Sequence, residues 1–517
     1  MSILSNLRSN CELNPDREWI FYNNETYSFS KIELLSNSIA NFLKKLGFGK
    51  ETTLGIMLPN CPEFIMTWLG INKIGGIMVP FNLALEEEDL AYQINHSEIE
   101  AIITHYTKIE HLDKVAKKCP KLKHIIVTGE ATEGVIKFSD LLKEENTDPG
   151  IKIDELDTME IIYTSGTTGK PKGVVWKHGA LPIVAKEVAD FVGLNQDDRL
   201  MVVLPLFHGN AQLSTAMSIV KEASIVLIPK FSASQFWDTA RKFECTEVNL
   251  LGPILTMLFN QPPKPEDKDN PINLVFCAAT PPTIHEAFEQ RFNLTIVEGY
   301  GLTETGINTL NPPDKNKRKI GSIGLPLSYN EVEILDSNMN ILPHDEEGEI
   351  CVRPIGDLRP LWKIEYFKDP ESTSELWKGG WLHTGDMGKK DEDGFIYFLD
   401  RIKDVIRRRG ENISSQEVEG VLIKHPQVAE VAVIGVPSEL GEEEVLALIV
   451  PMDPSNPLNV LELKEYCASK IASFKVPKYY KFVQGLPRTP TGRVKKGILK
   501  KDKKKLLEGA IDTEGGE

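Results

Sequence analysis

Eleven consecutive residues, Tyr163-Thr164-Ser165-Gly166-Thr167-Thr168-Gly169-Lys170-Pro171-Lys172-Gly173, carry three glycines, four aliphatic hydroxyls and two lysines. Glycines let backbone N–H groups come close to an anion, hydroxyls donate further hydrogen bonds, and lysine adds a point charge. That combination suits a polyphosphate. The stretch is not a Walker A loop, because Gly166 and Gly169 stand too close together and Lys170 is followed by Pro171 instead of Ser or Thr. A second stretch, Glu298-Gly299-Tyr300-Gly301-Leu302-Thr303-Glu304-Thr305, offers an aromatic face for a base, hydroxyls for phosphate oxygens and a carboxylate. A nucleoside triphosphate arrives with Mg²⁺, and a hard cation takes an oxygen ligand such as Glu304. In Gly380-Trp381-Leu382-His383-Thr384-Gly385-Asp386, the carboxylate of Asp386 suits a bidentate contact to two ribose hydroxyls, whereas His383 reads as structural.

Around these stretches the chain alternates between two periods. Met159–Ile162 and Val174–Trp176 read as short strands on either side of the hydroxyl-rich loop. Residues 29–43 carry apolar side chains at helical spacing, followed by strand-like residues 53–58, a helical pattern from Pro62 and strand-like segments at 77–80, 102–104 and 124–127. Strands alternating with helices predict layered α/β subdomains with a mostly parallel sheet. Ligands of such sheets sit beyond the carboxyl ends of strands, which favours Phe207 and His208 after the strand Leu200–Leu204. Gly348–Arg353 reads as a strand of a small antiparallel subdomain, and residues beyond 405 as a compact α+β module with strands at 428–436 and 445–450.

At 517 residues the chain exceeds one core and divides into several folding units. A formal charge of −16 argues against nonspecific nucleic-acid binding. Seven scattered cysteines, with no CxxC pair, point to a reducing compartment and a cytoplasmic location. No signal peptide is read at the N-terminus, and the longest apolar run, near 248–259, is too short for a membrane span.

Taken in order, these motifs resemble the adenylate-forming superfamily of acyl- and aryl-CoA synthetases, luciferases and nonribosomal adenylation domains. The resemblance covers essentially the whole chain and, through Gln261-Pro262-Pro263, Tyr300–Thr305 and Arg409-Gly410-Glu411-Asn412-Ile413, is nearest to the carnitine/crotonobetaine-CoA ligase branch. It implies a ligase that uses ATP, Mg²⁺ and coenzyme A on a small carboxylic acid, as a monomer or homodimer. Thr164, Ser165, Gly166, Thr167, Thr168 and Lys172 would hold phosphates. Ala278, Ala279, Thr280, Glu298, Gly299, Tyr300, Gly301 and Thr303 would surround the nucleotide, although the family usually has glycine where Cys277 and Ala278 stand. Glu304 would bind the metal, and Asp386 and Arg401 would hold ribose or phosphate. Phe207, His208, Asn249, Leu251 and Met257 would line the acyl side. Lys403 would be the hinge residue and Gly410 would let pantetheine pass. The family's catalytic lysine position is occupied by Arg493, which keeps the charge and offers a bidentate fork; Lys495 or Lys496 is the alternative. Arg407, Arg408 and Arg409 are either surface charge or contacts for coenzyme A phosphates. The implied domains are 1–400 for ATP and acid, a hinge at 401–404, a mobile C-terminal domain at 405–505 and a disordered tail at 506–517. Acceptors other than coenzyme A, a carrier protein or oxygen as in luciferase, share every motif. An amino-acid adenylating enzyme would want an acid where His208 stands, and a non-catalytic relative would lack Glu304 or Asp386.

Overall fold

A computed structural model describes residues 2–130, 134–164, 170–408, 411–438, 442–453, 455, 458–488 and 494–514. Of the expected site residues, Ser165, Gly166, Thr167, Thr168, Gly410 and Arg493 lie outside the described residues. The chain forms two compact units, whose described residues fall within 1–332 and 352–382 for the first, and within 333–351 and 383–517 for the second. Part of the small antiparallel subdomain belongs to the second unit.

The first unit contains two large sheets. One has eight strands, in the order Glu365–Tyr366, Lys172–Lys177, Thr158–Thr164, Ile77–Pro80, Thr53–Met57, Ala101–His105, His124–Thr128 and Ile136–Lys137. Its middle is parallel, and the pair flanking the hydroxyl-rich loop is antiparallel. The other has nine strands, among them the parallel run Arg199–Val202, Glu247–Leu251, Leu274–Ala278 and Thr295–Leu302. The helix Pro62–Lys73 buries every residue but Glu63, as a helix apolar on all sides must. One hydrophobic core takes in this helix together with Leu54 and Ile56 of one sheet and Val248 and Val275 of the other. Lys73 is tolerated there because its ammonium sits 2.8 Å from Glu33 and donates to Ser36 and Asn37.

In the second unit, Val428–Pro437, Glu443–Pro451, Tyr479–Phe482 and Ile511–Asp512 form a four-stranded sheet. Side-chain alternation covers both its faces. Val433, Val445, Ala447 and Ile449 pack with the helices Ser415–Leu422 and Val460–Ala468. Ala432, Ile434, Leu446 and Leu448 pack with Leu499, Leu506 and Leu507. The α/β class with a small α+β C-terminal part is as the sequence predicts. The tail is not: Ile511–Asp512 pairs with Tyr479–Tyr480, and Glu514 accepts from Arg408 at 3.0 Å. Polar composition hid an edge strand held by backbone bonds.

Arg408 is 1% exposed and also lies 2.5 Å from Glu444, so this arginine of the triplet is a buried ion-pair partner and offers nothing to a coenzyme. Arg408→Ala removes the buried cation that faces the Glu444 carboxylate, and we expect it to destabilise the C-terminal unit by about 3–5 kcal/mol. Urea denaturation followed by a probe in that unit measures this; an unchanged midpoint would refute the assignment.

Candidate active site

The strands Thr158–Thr164 and Lys172–Lys177 run antiparallel with Thr164 opposite Lys172, so the ends of the hydroxyl-rich loop are pinned side by side. The Thr164 hydroxyl donates to the Lys172 carbonyl at 3.4 Å. Aromatic side chains brace both ends. The Lys170 ammonium lies 4.9 Å from the centre of the Tyr92 ring, whose hydroxyl donates to the Pro171 carbonyl at 3.3 Å. The Lys172 ammonium lies 4.9 Å from the centre of the Tyr366 ring.

Glu298–Thr305 spans the end of the strand Thr295–Leu302 and the turn into Gly306–Leu310. Gly301 is obligatory in this hairpin, since a Cβ there would stand 2.0 Å from the Gly306 carbonyl oxygen. The Glu298 carboxylate is buried and accepts from the backbone N–H groups of Ala279 and Thr280 at 2.8 and 3.0 Å. Those bonds favour the charged form, but burial is the larger effect and pushes the group up to about 8. They also explain how the chain manages without the expected glycine. Cys277 and Ala278 continue a regular strand, and the left-handed residue is Ala279, at φ +61°. Glu298 thus shapes the 278–280 backbone. Tyr300 is buried. Two indole N–H groups fix the turn: Trp176 donates to the Thr303 carbonyl at 2.8 Å and Trp362 to that of Thr305 at 3.3 Å. Between them, Glu304 accepts at Oε1 from the Tyr366 hydroxyl at 2.9 Å. Its second oxygen has no partner among the described residues, an arrangement that fits a hard divalent cation.

On the acyl side, Phe207 is buried and its ring centre lies 4.3 Å from that of His208. His208 is half-buried, yet its Nε2 is covered and has no partner among the described residues. Burial holds this imidazole down to about 4, so it is neutral at pH 7. Asn249 donates to Asn210 Oδ1 at 3.0 Å, and its own carbonyl oxygen is buried without a partner among the described residues. Leu251 is half-buried and precedes the helix Gly252–Phe259. That helix turns Leu255 and Leu258 inward and leaves Met257 50% exposed, so Met257 supplies no buried wall.

Within the second unit, Asp386 stands opposite Arg401 on paired strands, with Arg401 Nε 3.4 Å from Asp386 Oδ1. Asp386 is fixed from below. The Thr384 hydroxyl accepts its N–H, and Glu349 accepts the N–H of Gly385, whose φ is +71°. His383 Nδ1 lies 2.7 Å from Glu349 and 3.6 Å from Cys351 Sγ. The 2.7 Å contact between His383 and Glu349 is within hydrogen-bond distance. Of the alternatives to Arg493, Lys496 is held by Ser415 and by Glu419, at 2.5 and 2.7 Å, whereas Lys495 is exposed. Lys500 donates to the Lys403 carbonyl and to Asp404, tying the expected hinge to the C-terminal residues. The sequence reading missed two residues. Tyr366 faces Glu304 across 62 positions. Asp400 caps the helix Ser415–Leu422, accepting from the Ser415 N–H and hydroxyl, each at 2.6 Å. The Ser414-Ser415 pair before a helical pattern signals a helix start, but nothing local points to a carboxylate fifteen residues away.

A model described as AMP-binding enzyme matches residues 7–358, and one described as AMP-binding enzyme C-terminal domain matches residues 417–493. The crotonobetaine/carnitine–CoA ligase of Salmonella typhi is 35% identical over 486 residues, covering 92% of this chain and 93% of that protein. An anthranilate CoA ligase solved in complex with anthranoyl-AMP has a TM-score of 0.89 at 26% identity, with 98% of each chain covered. The o-succinylbenzoate coenzyme A synthetase of Bacillus subtilis, in complex with ATP and magnesium ion, has a TM-score of 0.84 at 27% identity, covering 96% of this chain and 99% of that one.

The buried nitrogen of His208 has a consequence for acid stability. The unfolded imidazole takes a proton near its ordinary value of about 6.5, the folded one only near 4. Between these values the unfolded state binds more protons, so stability falls as pH drops through that window. His208→Gln should lose about 2 kcal/mol less than the wild type between pH 6.5 and 4. Parallel denaturation curves for the two proteins would contradict this.

Proposed function

The chain belongs to the AMP-binding enzyme family and is an AMP-forming acyl-CoA ligase, and from that premise we propose that its acid is a small, carnitine- or crotonobetaine-like carboxylate. The likeness to crotonobetaine/carnitine–CoA ligase over nearly the whole chain carries this reading. The half-polar acyl side, with the neutral imidazole of His208 and the unsatisfied amide oxygen of Asn249, supports it. Both groups can hydrogen-bond a short polar acid, which a purely apolar pocket could not orient.

In the first half-reaction the substrate carboxylate attacks the α-phosphorus of ATP and pyrophosphate leaves. The loop from Thr164 to Lys172 receives the leaving phosphates, and Asp386 with Arg401 holds the ribose side. Glu304 offers its unpaired oxygen to Mg²⁺, which when bound offsets the charge of the phosphates. Arg493 steadies charge at the reacting carboxylate and α-phosphate; Lys495, exposed as it is, is better placed to substitute than Lys496. In the second half-reaction the coenzyme A sulfur attacks the acyl-adenylate carbonyl and AMP leaves. We assign Lys403 as the pivot between the two and Gly410 as the place where pantetheine passes the backbone. A cytoplasmic location belongs to the same proposal, supported by seven cysteines that are all free.

Pyrophosphate release and thioester formation over a panel of acids, with and without coenzyme A, test the reading. Thioester is expected with carnitine or crotonobetaine, and a preference for long-chain or aryl acids would refute the substrate assignment. Asp386→Ala should raise the KM for ATP by about 10- to 100-fold through loss of charge-assisted bonds. Gly410→Leu should spare pyrophosphate release and block thioester formation; an intact second step would remove Gly410 from the thiol path.

A further inference from the structure

Tyr366 belongs to a short strand that the motifs above leave without a task. Its main chain pairs with Val174, and the next N–H, of Phe367, donates to the Gly173 carbonyl at 2.7 Å. The ring is thereby fixed on the strand that begins at Lys172. From that position Tyr366 meets two separate parts of the ATP site. Its face carries the Lys172 ammonium at 4.9 Å, and its hydroxyl donates to Glu304 Oε1 at 2.9 Å. The phenol is half-buried.

A carboxylate that offers one oxygen to a cation is better aimed when its other oxygen is already bonded. Without such a bond the group rotates about its last torsion and can present either oxygen, or both, at a cost in ordering. The main chain on each side of Glu304 is held by Trp176 and Trp362, so the side-chain torsions are what remain to be fixed. We propose that Tyr366 is a positioning residue for metal-bound ATP: its hydroxyl fixes Glu304 so that Oε2 faces the cation, while its ring aligns Lys172 with the same phosphates. This rests on the reading of Glu304 as the metal ligand. It assigns the two contacts separable effects, one dependent on the metal and one not.

Calorimetric ATP binding to the full-length protein, titrated with Mg²⁺ or in EDTA, separates them. Tyr366→Phe keeps the ring and removes the hydroxyl. It should raise the Mg²⁺ concentration for half-maximal ATP binding by about 10-fold, as expected for loss of a hydrogen bond to a charged group, and leave the affinity in EDTA unchanged. Tyr366→Leu should weaken binding in EDTA as well. In a Glu304→Gln background, Tyr366→Phe should have no further effect on the Mg²⁺ requirement, which a merely structural role would not produce. A Tyr366→Phe protein with wild-type Mg²⁺ dependence, or one weakened equally with and without metal, overturns the proposal. Wild-type ATP binding that is insensitive to Mg²⁺, or a Glu304→Gln protein with an unchanged Mg²⁺ requirement, overturns the assignment of Glu304 beneath it.

Discussion

Two separate sheets carry the hydroxyl-rich loop and the Glu298–Thr305 stretch of the first unit, and the bond from the Trp176 indole to the Thr303 carbonyl registers one against the other. Trp176 lies on the strand that starts at Lys172, in the eight-stranded sheet; Thr303 lies in the turn that ends a strand of the nine-stranded sheet. Neither sheet alone holds both Lys172 and Glu304. A shift of either by one ångström would separate those groups, since positioned chemistry tolerates little more than that. The Tyr366 hydroxyl, donating to Glu304, makes a second bond between the same two sheets, and the packed core adds rigidity.

Much of this arrangement can be read along the chain. The period of apolar residues gives Phe29–Lys45, Thr53–Met57 and Pro62–Lys73, and the glycine and hydroxyl residues of 298–305 mark the turn after Thr295–Leu302. What cannot be read is contact between residues far apart in sequence. Tyr366 looks like any aromatic residue in a short extended segment until its strand is seen beside Val174. Arg408 looks like surface charge because an arginine triplet carries no sign of the two glutamates, 36 and 106 positions on, that bury it. The terminal strand is invisible for a related reason: two residues add to an existing edge through backbone bonds, which demand almost nothing of their side chains.

Some acidic groups in the first unit are buried at a cost to stability. Glu160 lies on the strand leading into the hydroxyl-rich loop and Glu247 opens a neighbouring strand of the other sheet. Both are fully buried, and desolvation pushes each up to about 8, so they persist as neutral acids at pH 7. The same loss of solvation keeps His208 neutral at the opposite extreme of the scale. The interior therefore selects the uncharged form of each of these three groups.

Ala279 gives a last consequence. An L-residue held at φ +61° costs about 1 kcal/mol where glycine would cost almost nothing, and the Glu298 carboxylate, by accepting from Ala279 and Thr280, keeps it there. The arrangement transfers a conformational requirement from one residue to its neighbour across the sheet. Alanine narrows the denatured ensemble in a way glycine does not, so part of the local strain is recovered as lost freedom in the unfolded chain. The two positions are thus coupled in energy: with the Glu298 side chain removed, glycine at 279 becomes the favoured residue.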